Sequence, residues 1–370
     1  MRPASQYSTK GFLMETPVIW KRPDLQFPTS FDTIFFDVDG VLIKTIDSFH
    51  ATDIATAEYV AGVIHSLDWG QREGKYLLTH DDVIAFKQAG GYNNDWDMCY
   101  LLATLCTARL REWKGTPLAE RSFEEWADLA YQATRAGHGG MEWVRAVMPA
   151  SAQLDYQIIG EIYHEFYWGA DELKKRYGIT ARYLPDFYGY VHNEEMFFPP
   201  DFFRQLRAAG IPTLGIITGR VGPEVDIALE MMQAHAGERW WDVVVSADLA
   251  PKPDPRALQL AIAGIPGGVG GGLYIGDTGD DLDVVMNYRA VKSKDDPDIL
   301  IAMLVYEHEV EIYKQRGADF IVRSVMDVVG CLPGGRTLAG QSNHLDWDQM
   351  EEGLHRIQRE NQPTPPIDMH

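Results

Sequence analysis

Cysteine is scarce in this sequence, which has three such residues among 370, Cys99, Cys106 and Cys331. Their odd number and wide spacing argue against a disulfide framework and favour a reducing compartment. Near the N-terminus, charged residues such as Lys10 and Glu15 interrupt any apolar core of a secretory signal. We therefore expect a cytoplasmic protein.

Positive charge is scarce as well, because 33 lysines and arginines stand against 54 acidic residues and give a net charge of −21. A chain this acidic repels nucleic acid and anionic membranes, so neither is expected as a partner. Long apolar runs are also missing, and no stretch approaches the ~20 apolar residues that a membrane span needs. An anionic substrate would need a local positive site, such as a metal ion.

The apolar pattern divides the chain into segments of different character. Residues 31–45 and 197–332 alternate short apolar strands with helices, which predicts an α/β fold with a doubly wound parallel sheet. Residues 46–196 carry apolar side chains at helical spacing and predict an inserted all-helical domain. Residues 1–30 predict an extended arm, and residues 333–370 predict a polar tail.

Two acidic residues, Asp37 and Asp39, directly follow the apolar run of the first predicted strand. In a doubly wound sheet, ligands bind beyond the carboxyl ends of the strands. Several carboxylates at one rim require a cation, and hard oxygen ligands favour Mg²⁺. The residues that follow the other predicted strands are Thr218, Gly219 and Arg220; Ser246, Asp248 and Lys252; and Asp277, Thr278, Asp280 and Asp281.

Each of these segments by itself also has a structural interpretation. Asp-Gly after a strand is a common turn, and an aspartate in "GDTGDD" could cap a helix. Lysine before proline in "KPDP" is usually part of a solvated loop. The four segments together, in this order and each directly after a strand, favour a functional site.

These segments resemble the four motifs of the haloacid dehalogenase superfamily of phosphotransferases. The resemblance covers residues 31–45 and 197–330, and it implies a core of the haloacid dehalogenase type. The helical insert directly after the first motif occupies the cap position of the phosphoglycolate phosphatase and β-phosphoglucomutase branch. The four motifs are "DVDGV" (37–41), "IITGR" (216–220), "KPDP" (252–255) and "IGDTGDD" (275–281).

The resemblance implies a Mg²⁺-dependent phosphatase that acts on a small phosphorylated metabolite. Asp37 would attack phosphorus and form an aspartyl-phosphate, and Asp39 would act as general acid and base. Thr218 would hydrogen-bond the phosphoryl oxygens. Mg²⁺ and Lys252 would together offset the repulsion between the Asp37 carboxylate and the phosphate, about 8 kcal/mol for a dianion at 4 Å and an effective dielectric near 20.

The resemblance also implies the ligands of the metal ion. Mg²⁺ would be held by the Asp37 carboxylate, the Asp39 main-chain carbonyl and Asp277. Asp281 matches the second acid of the fourth motif and completes the predicted metal set. Asp280 occupies a variable place.

We expect residues of the insert to recognise the substrate, because the four core motifs would contact only its phosphate group and the metal ion. The segment "GGYNNDWD" (90–97) concentrates Asn93, Asn94 and Asp95, which we predict to bind substrate. Alternatively, Asn94 or Asp95 caps the following helix. In the core, Gly219 and Arg220 are predicted to bind substrate. Arg220 would contact the non-reacting end of the substrate, and a surface salt bridge is the alternative for this residue.

Other functions use the same residues differently. A phosphomutase of the β-phosphoglucomutase type would form the same aspartyl-phosphate but would need a tightly closing cap. A non-catalytic phosphate-binding protein would have lost a motif residue, and none is lost. A metal-binding module would leave Thr218 and Lys252 without a purpose.

The insert, about 150 residues long, is larger than expected for this branch, which puts phosphoglycolate as substrate in doubt. Its aromatic content would permit a homodimer interface.

Overall fold

The described residues fall into two compact units. The core unit contains residues 18–43 and 196–334, and the helical unit contains residues 44–195. Much of the predicted arm and tail therefore lies outside the described residues. A computed structural model describes residues 18–68, 77–92, 94–113, 123–306 and 309–334.

A seven-stranded sheet forms the centre of the core unit, in the order β1-β9-β8-β7-β2-β5-β6. Neighbouring strands run parallel except β1, which pairs antiparallel with β9 and comes from the predicted arm. Two short strands, β3 and β4, form a separate two-stranded sheet where the chain passes between the units. The strands are β1 (Val18–Lys21), β2 (Thr33–Phe36), β3 (Ile43–Lys44), β4 (Glu195–Met196), β5 (Thr213–Ile217), β6 (Val243–Val245), β7 (Gly271–Gly276), β8 (Asp298–Leu304) and β9 (Phe320–Val322).

The central strand β2 is buried along its whole length. Side chains alternate across a strand, so Ile34 and Phe36 enter one apolar cluster while Phe35 enters the other, together with Ile217 and Tyr274. A strand that is apolar on both faces is typical of a parallel sheet covered by helices on both sides. The predicted fold class is confirmed.

Among the described residues of the core unit, five α-helices connect these strands. Three of them begin beside the sequence motifs: α8 starts at Gly222 with Pro223 in its first turn, α9 starts at Arg256, and α10 starts after Thr278 in a capping box with Asp281. The core helices are α7 (Phe202–Ala208), α8 (Gly222–Ala236), α9 (Arg256–Ala263), α10 (Gly279–Val291) and α11 (Val310–Arg316).

The helical unit is built from six α-helices over its described residues. The longest helix, α6, is broken at Gly169, whose φ of 72° is not helical. None of the helices in the described part of the chain is long and apolar enough to cross a membrane. The helices are α1 (Ala51–Tyr59), α2 (His80–Ala89), α3 (Asp95–Glu112), α4 (Glu124–Arg135), α5 (Gly140–Val147) and α6 (Tyr156–Tyr177).

Candidate active site

Three aspartates meet at the carboxyl ends of the neighbouring strands β2 and β7. The strands run parallel with Phe36 beside Ile275, so the residues that follow them emerge at one rim. Carboxylate oxygens of Asp37, Asp277 and Asp281 lie within 4.8 Å of one another. The structure therefore brings together the predicted nucleophile and the two acids of the fourth motif.

The first-motif loop passes so close to Asp277 that its glycine has no room for a side chain. Gly40 has a φ of +72°, and a Cβ built on it would lie 1.9 Å from Asp277 Oδ2. The turn is closed by the Gly40 N–H, which donates to the Ile43 carbonyl at 2.9 Å. Glycine at this position is required both by the conformation and by the close approach.

Lys252 joins two of these carboxylates. Its Nζ lies 2.8 Å from Asp37 Oδ1 and 2.6 Å from Asp281 Oδ1, and its side chain is 9% exposed. Burial alone would lower the pKa of Lys252, but the two carboxylates outweigh it and hold the pKa above the usual range for lysine. Lys252 is therefore a permanent positive charge beside the predicted nucleophile.

Asp281 is held by hydrogen bonds on both oxygens. Oδ1 accepts from Lys252 and from the Tyr274 hydroxyl at 2.7 Å, while Oδ2 accepts from the Thr278 N–H at 3.0 Å and hydroxyl at 2.8 Å. Burial would raise the pKa of Asp281, but Lys252 and the hydrogen bonds outweigh it and lower the pKa. Asp281 thus stays ionised and fixes Lys252 in place.

The sequence reasoning missed Tyr274. The signal that could have found it is a hydroxyl within the apolar strand "GGLYIG", because a buried hydroxyl needs a hydrogen-bond partner. Asp277, three residues later, directly follows the same strand.

Among the three clustered carboxylates, Asp37 and Asp277 have raised pKa values. Burial raises the pKa of Asp37 to about 7, with Lys252 opposing the shift and neighbouring aspartates adding to it. Burial, followed by repulsion from Asp281 and Asp37, raises the pKa of Asp277 well above its usual range. Asp277 Oδ1 is buried and has no hydrogen-bond partner among the described residues. An unmet anionic oxygen beside a second carboxylate fits a hard divalent cation.

Thr218 and Gly219 follow β5 at the same end of the sheet. The Thr218 N–H donates to the Val245 carbonyl at 2.9 Å, and its hydroxyl oxygen accepts from the Arg220 N–H at 3.1 Å. Because this bond uses the oxygen and not the proton, the Thr218 hydroxyl can still donate to a phosphoryl oxygen. A Cβ on Gly219 would meet nothing within 4 Å.

Asp39, two residues after Asp37, pairs with Arg220. Arg220 Nη2 and Nε lie 2.7 and 2.9 Å from Asp39 Oδ1, and the arginine side chain is 1% exposed. The sequence left open a substrate contact or a surface salt bridge for Arg220. The structure places it in a buried ion pair with Asp39.

The segment at residues 90–97 belongs to the helical unit. Asn94 is the N-cap of α3, and its side-chain oxygen accepts from the N–H groups of Trp96 at 2.9 Å and Asp97 at 3.3 Å. The capping interpretation is thus confirmed for Asn94. Asp95 Oδ1 lies 3.5 Å from Lys87 Nζ, and Asn93 lies outside the described residues. Substrate binding by these three residues stays a prediction.

Comparison with known proteins shows which protein family this chain resembles. Residues 31–284 match the family of haloacid dehalogenase-like hydrolases. A phosphoglycolate phosphatase of Caulobacter vibrioides is 27% identical over 154 residues, which cover 40% of this chain and 60% of that protein. The match with this curated relative thus spans less than two thirds of the relative's length.

Solved structures support the same fold. Phosphatase Tt82 from Thermococcus thioreducens superposes with a TM-score of 0.52 at 25% identity, covering 82% of this chain and 100% of that one. A structural-genomics target with 16% identity also gives a TM-score of 0.52, over 81% of this chain and 98% of its own. The chain belongs to the haloacid dehalogenase-like hydrolases, and the predicted family is confirmed.

Proposed function

We propose that this hydrolase is a Mg²⁺-dependent phosphatase that acts on a small phosphorylated metabolite. The observation that carries the proposal is the buried Asp37, which lies beside Lys252 and Asp277 at the carboxyl end of the central strand. A nucleophilic carboxylate needs a nearby cation before it can approach a phosphate dianion. The similarity to the two phosphatases named above supports the same activity.

The metal ligands would be the carboxylates of Asp37 and Asp277 and the main-chain carbonyl of Asp39, with Asp281 as the remaining acid of the set. The uncompensated Asp277 oxygen and the raised pKa values of Asp37 and Asp277 are what a bound cation would relieve. When bound, Mg²⁺ would neutralise charge on the phosphoryl oxygens.

The residues of the chain then carry out two displacements. An Asp37 oxygen attacks phosphorus, the bond to the leaving oxygen breaks, and Asp39 gives that oxygen a proton. Water next attacks the aspartyl-phosphate, Asp39 takes a proton from the water, and the bond between Asp37 and phosphorus breaks. Thr218 donates a hydrogen bond to the phosphoryl group, and Lys252 balances its charge throughout.

The test is hydrolysis of p-nitrophenyl phosphate by the purified full chain. We expect turnover with Mg²⁺, none with EDTA, and a loss of at least about 10³-fold in Asp37→Asn, because the nucleophile is removed. Asp254→Asn is the matched control, since Asp254 lies in the third-motif segment but is not among the proposed catalytic groups.

A wild-type protein that does not hydrolyse p-nitrophenyl phosphate would contradict the proposed phosphatase activity. Labelling of Asp37 by acetyl phosphate without hydrolysis would instead indicate a phosphomutase. For an active enzyme, a screen of phosphorylated metabolites that includes phosphoglycolate would identify the substrate.

A further inference from the structure

The ion pair between Arg220 and Asp39 has no part in the steps described above. Asp39 Oδ1 accepts two short hydrogen bonds, at 2.7 Å from Nη2 and 2.9 Å from Nε, whereas Oδ2 lies 3.2 Å from Nε. The arginine side chain is 1% exposed and the aspartate side chain 30%. A guanidinium this deeply buried is costly unless it is paired, so the pair is the stable arrangement.

The backbone of Arg220 is held on both sides. Its N–H donates to the Thr218 hydroxyl oxygen at 3.1 Å, and its carbonyl accepts from the Ala247 N–H at 3.2 Å. Arg220 Nη1 also donates to the Glu224 carbonyl at 3.4 Å. These bonds therefore hold the main chain of Arg220 in place and fix the orientation of its guanidinium.

The Asp39 carboxylate has no comparable anchor of its own. The backbone of Asp39 is fixed by its bridge to Ile43, but a backbone bridge does not choose the side-chain rotamer. Within the described part of the chain, the hydrogen bonds to its carboxylate come from Arg220. The direction of this carboxylate is thus set by Arg220.

We propose that Arg220 is a positioning residue that aims Asp39 Oδ2 at the leaving oxygen of the substrate. The proposal rests on the proposed function, because that function gives Asp39 the proton transfers. Oδ1 is occupied by two short bonds, so Oδ2 is the oxygen that gives the proton as the bond between phosphorus and the leaving oxygen breaks. The same oxygen takes a proton from the water that later attacks phosphorus. Proton transfer requires the carboxyl to lie within hydrogen-bond reach of its partner.

Two substrates with different leaving groups test this role. p-Nitrophenolate leaves without a proton, whereas phenolate, with a pKa of about 10 like tyrosine, needs one more strongly. In Arg220→Met we expect kcat/KM to fall about 30-fold for phenyl phosphate and no more than about 3-fold for p-nitrophenyl phosphate, because only the proton transfer is misaligned. Arg220→Lys should recover part of the loss, since lysine keeps the charge but cannot make the two-pronged contact.

Arg207→Met is the matched control. Arg207 Nη2 pairs with Asp242 Oδ2 at 3.0 Å, and Asp242 Oδ2 accepts from the Leu214 N–H near the opposite end of β5. This variant also loses an arginine–aspartate pair, and we expect it to keep wild-type kcat/KM on both substrates.

A double-mutant cycle separates positioning from a structural effect. In an Asp39→Asn background, Arg220→Met should cause no further selective loss on phenyl phosphate. Two results would overturn the positioning role: an equal loss of kcat/KM on both substrates in Arg220→Met, or the same selective loss in the Asp39→Asn background. Neither result would contradict the proposed phosphatase activity. A wild type that hydrolyses neither substrate would overturn both. Should Arg220→Met fail to fold, as judged by circular dichroism, Arg220→Lys provides the same comparison.

Discussion

At the scale of single residues, the tightest constraint on the site is the space around Asp277. Gly40 Cα approaches this carboxylate so closely that one added carbon would collide with it. The geometry of the proposed metal site therefore depends on a residue that contributes no functional group.

We expect Gly40→Ala to lower kcat/KM at least about 100-fold, because Asp277 must move away from Asp37. The free energy of unfolding should fall by about 2–4 kcal/mol from the clash and the left-handed φ. Activity assays and urea unfolding measure the two effects.

Gly210→Ala is the control for Gly40→Ala, since Gly210 has a φ of +96° but open space around its Cβ position. It should lose about 1 kcal/mol of stability and no activity. Equal activity losses in the two variants would show that crowding of Asp277 is not the cause.

A second residue-scale prediction concerns pH and Glu58 in the helical unit. Burial raises the pKa of Glu58 to about 8, although it accepts hydrogen bonds from the Leu77 and Leu78 N–H groups. The folded state thus favours the protonated form. That stabilisation is complete below the ordinary pKa of 4.5 and is lost as pH rises through 8.

Glu58→Gln keeps the side chain neutral, so its stability advantage over the wild type should grow between pH 5 and pH 9. We expect a change of about 2 kcal/mol, reduced from the full value of the pKa shift because the side chain is partly exposed. Urea unfolding at three pH values measures it. Glu142→Gln, at an exposed position of α5, is the matched control, and a stability difference for Glu58→Gln that does not change with pH would contradict the assignment.

The sequence could predict which residues gather at the rim, but not all of their partners. Asp37, Thr218 and Asp277 directly follow strands, so parallel pairing brings them to one end of the sheet. The pairing of Asp39 with Arg220 joins the loops after two different strands, and the bond from Tyr274 to Asp281 joins β7 to the first turn of α10, so both depend on side-chain rotamers. No spacing in the chain encodes those distances.

At the scale of elements, the break in α6 has a specific cause. A Cβ on Gly169 would lie 2.2 Å from the Tyr188 carbonyl oxygen, and one on Gly189 would lie 2.3 Å from the Trp168 carbonyl oxygen. The Ala170 N–H donates to the Phe187 carbonyl at 2.9 Å instead of bonding within the helix. Two glycines thus let two backbone segments touch. Apolar side chains at helical spacing continue across the break, so this spacing predicts helix on both sides of Gly169 but not the break itself.

Replacing Gly189 by alanine should lower the free energy of unfolding by about 3 kcal/mol, because the backbones must separate. Gly210→Ala is again the control, because Gly210 has a φ of +96°, close to the +101° of Gly189, but nothing near its Cβ position, and it should cost about 1 kcal/mol. Thermal unfolding compares them. Equal losses would mean that φ, and not the close approach, determines the cost.

At the scale of the whole molecule, the net charge of −21 opposes an anionic substrate. Long-range repulsion lowers the local concentration of a phosphate dianion, and salt screens it. At saturating Mg²⁺, we expect KM for p-nitrophenyl phosphate to fall about twofold between 20 and 200 mM NaCl. Choline chloride in place of NaCl controls for a specific effect of sodium. A KM that rises with salt would indicate that local attraction by the cations at the rim dominates.

The chain leaves the core unit through β3 and returns through β4, and these strands pair with each other. Just beside them, the Phe197 N–H donates to the Leu42 carbonyl at 2.9 Å. For the core, the whole insertion is therefore equivalent to a hairpin loop, and the entropy of closing a loop grows only slowly with its length. A change in the length of the insertion is then expected to cost the core little free energy and to leave the register of the sheet unchanged. Exchange of the inserted segment at this junction is therefore expected to leave the residues of the candidate site in place.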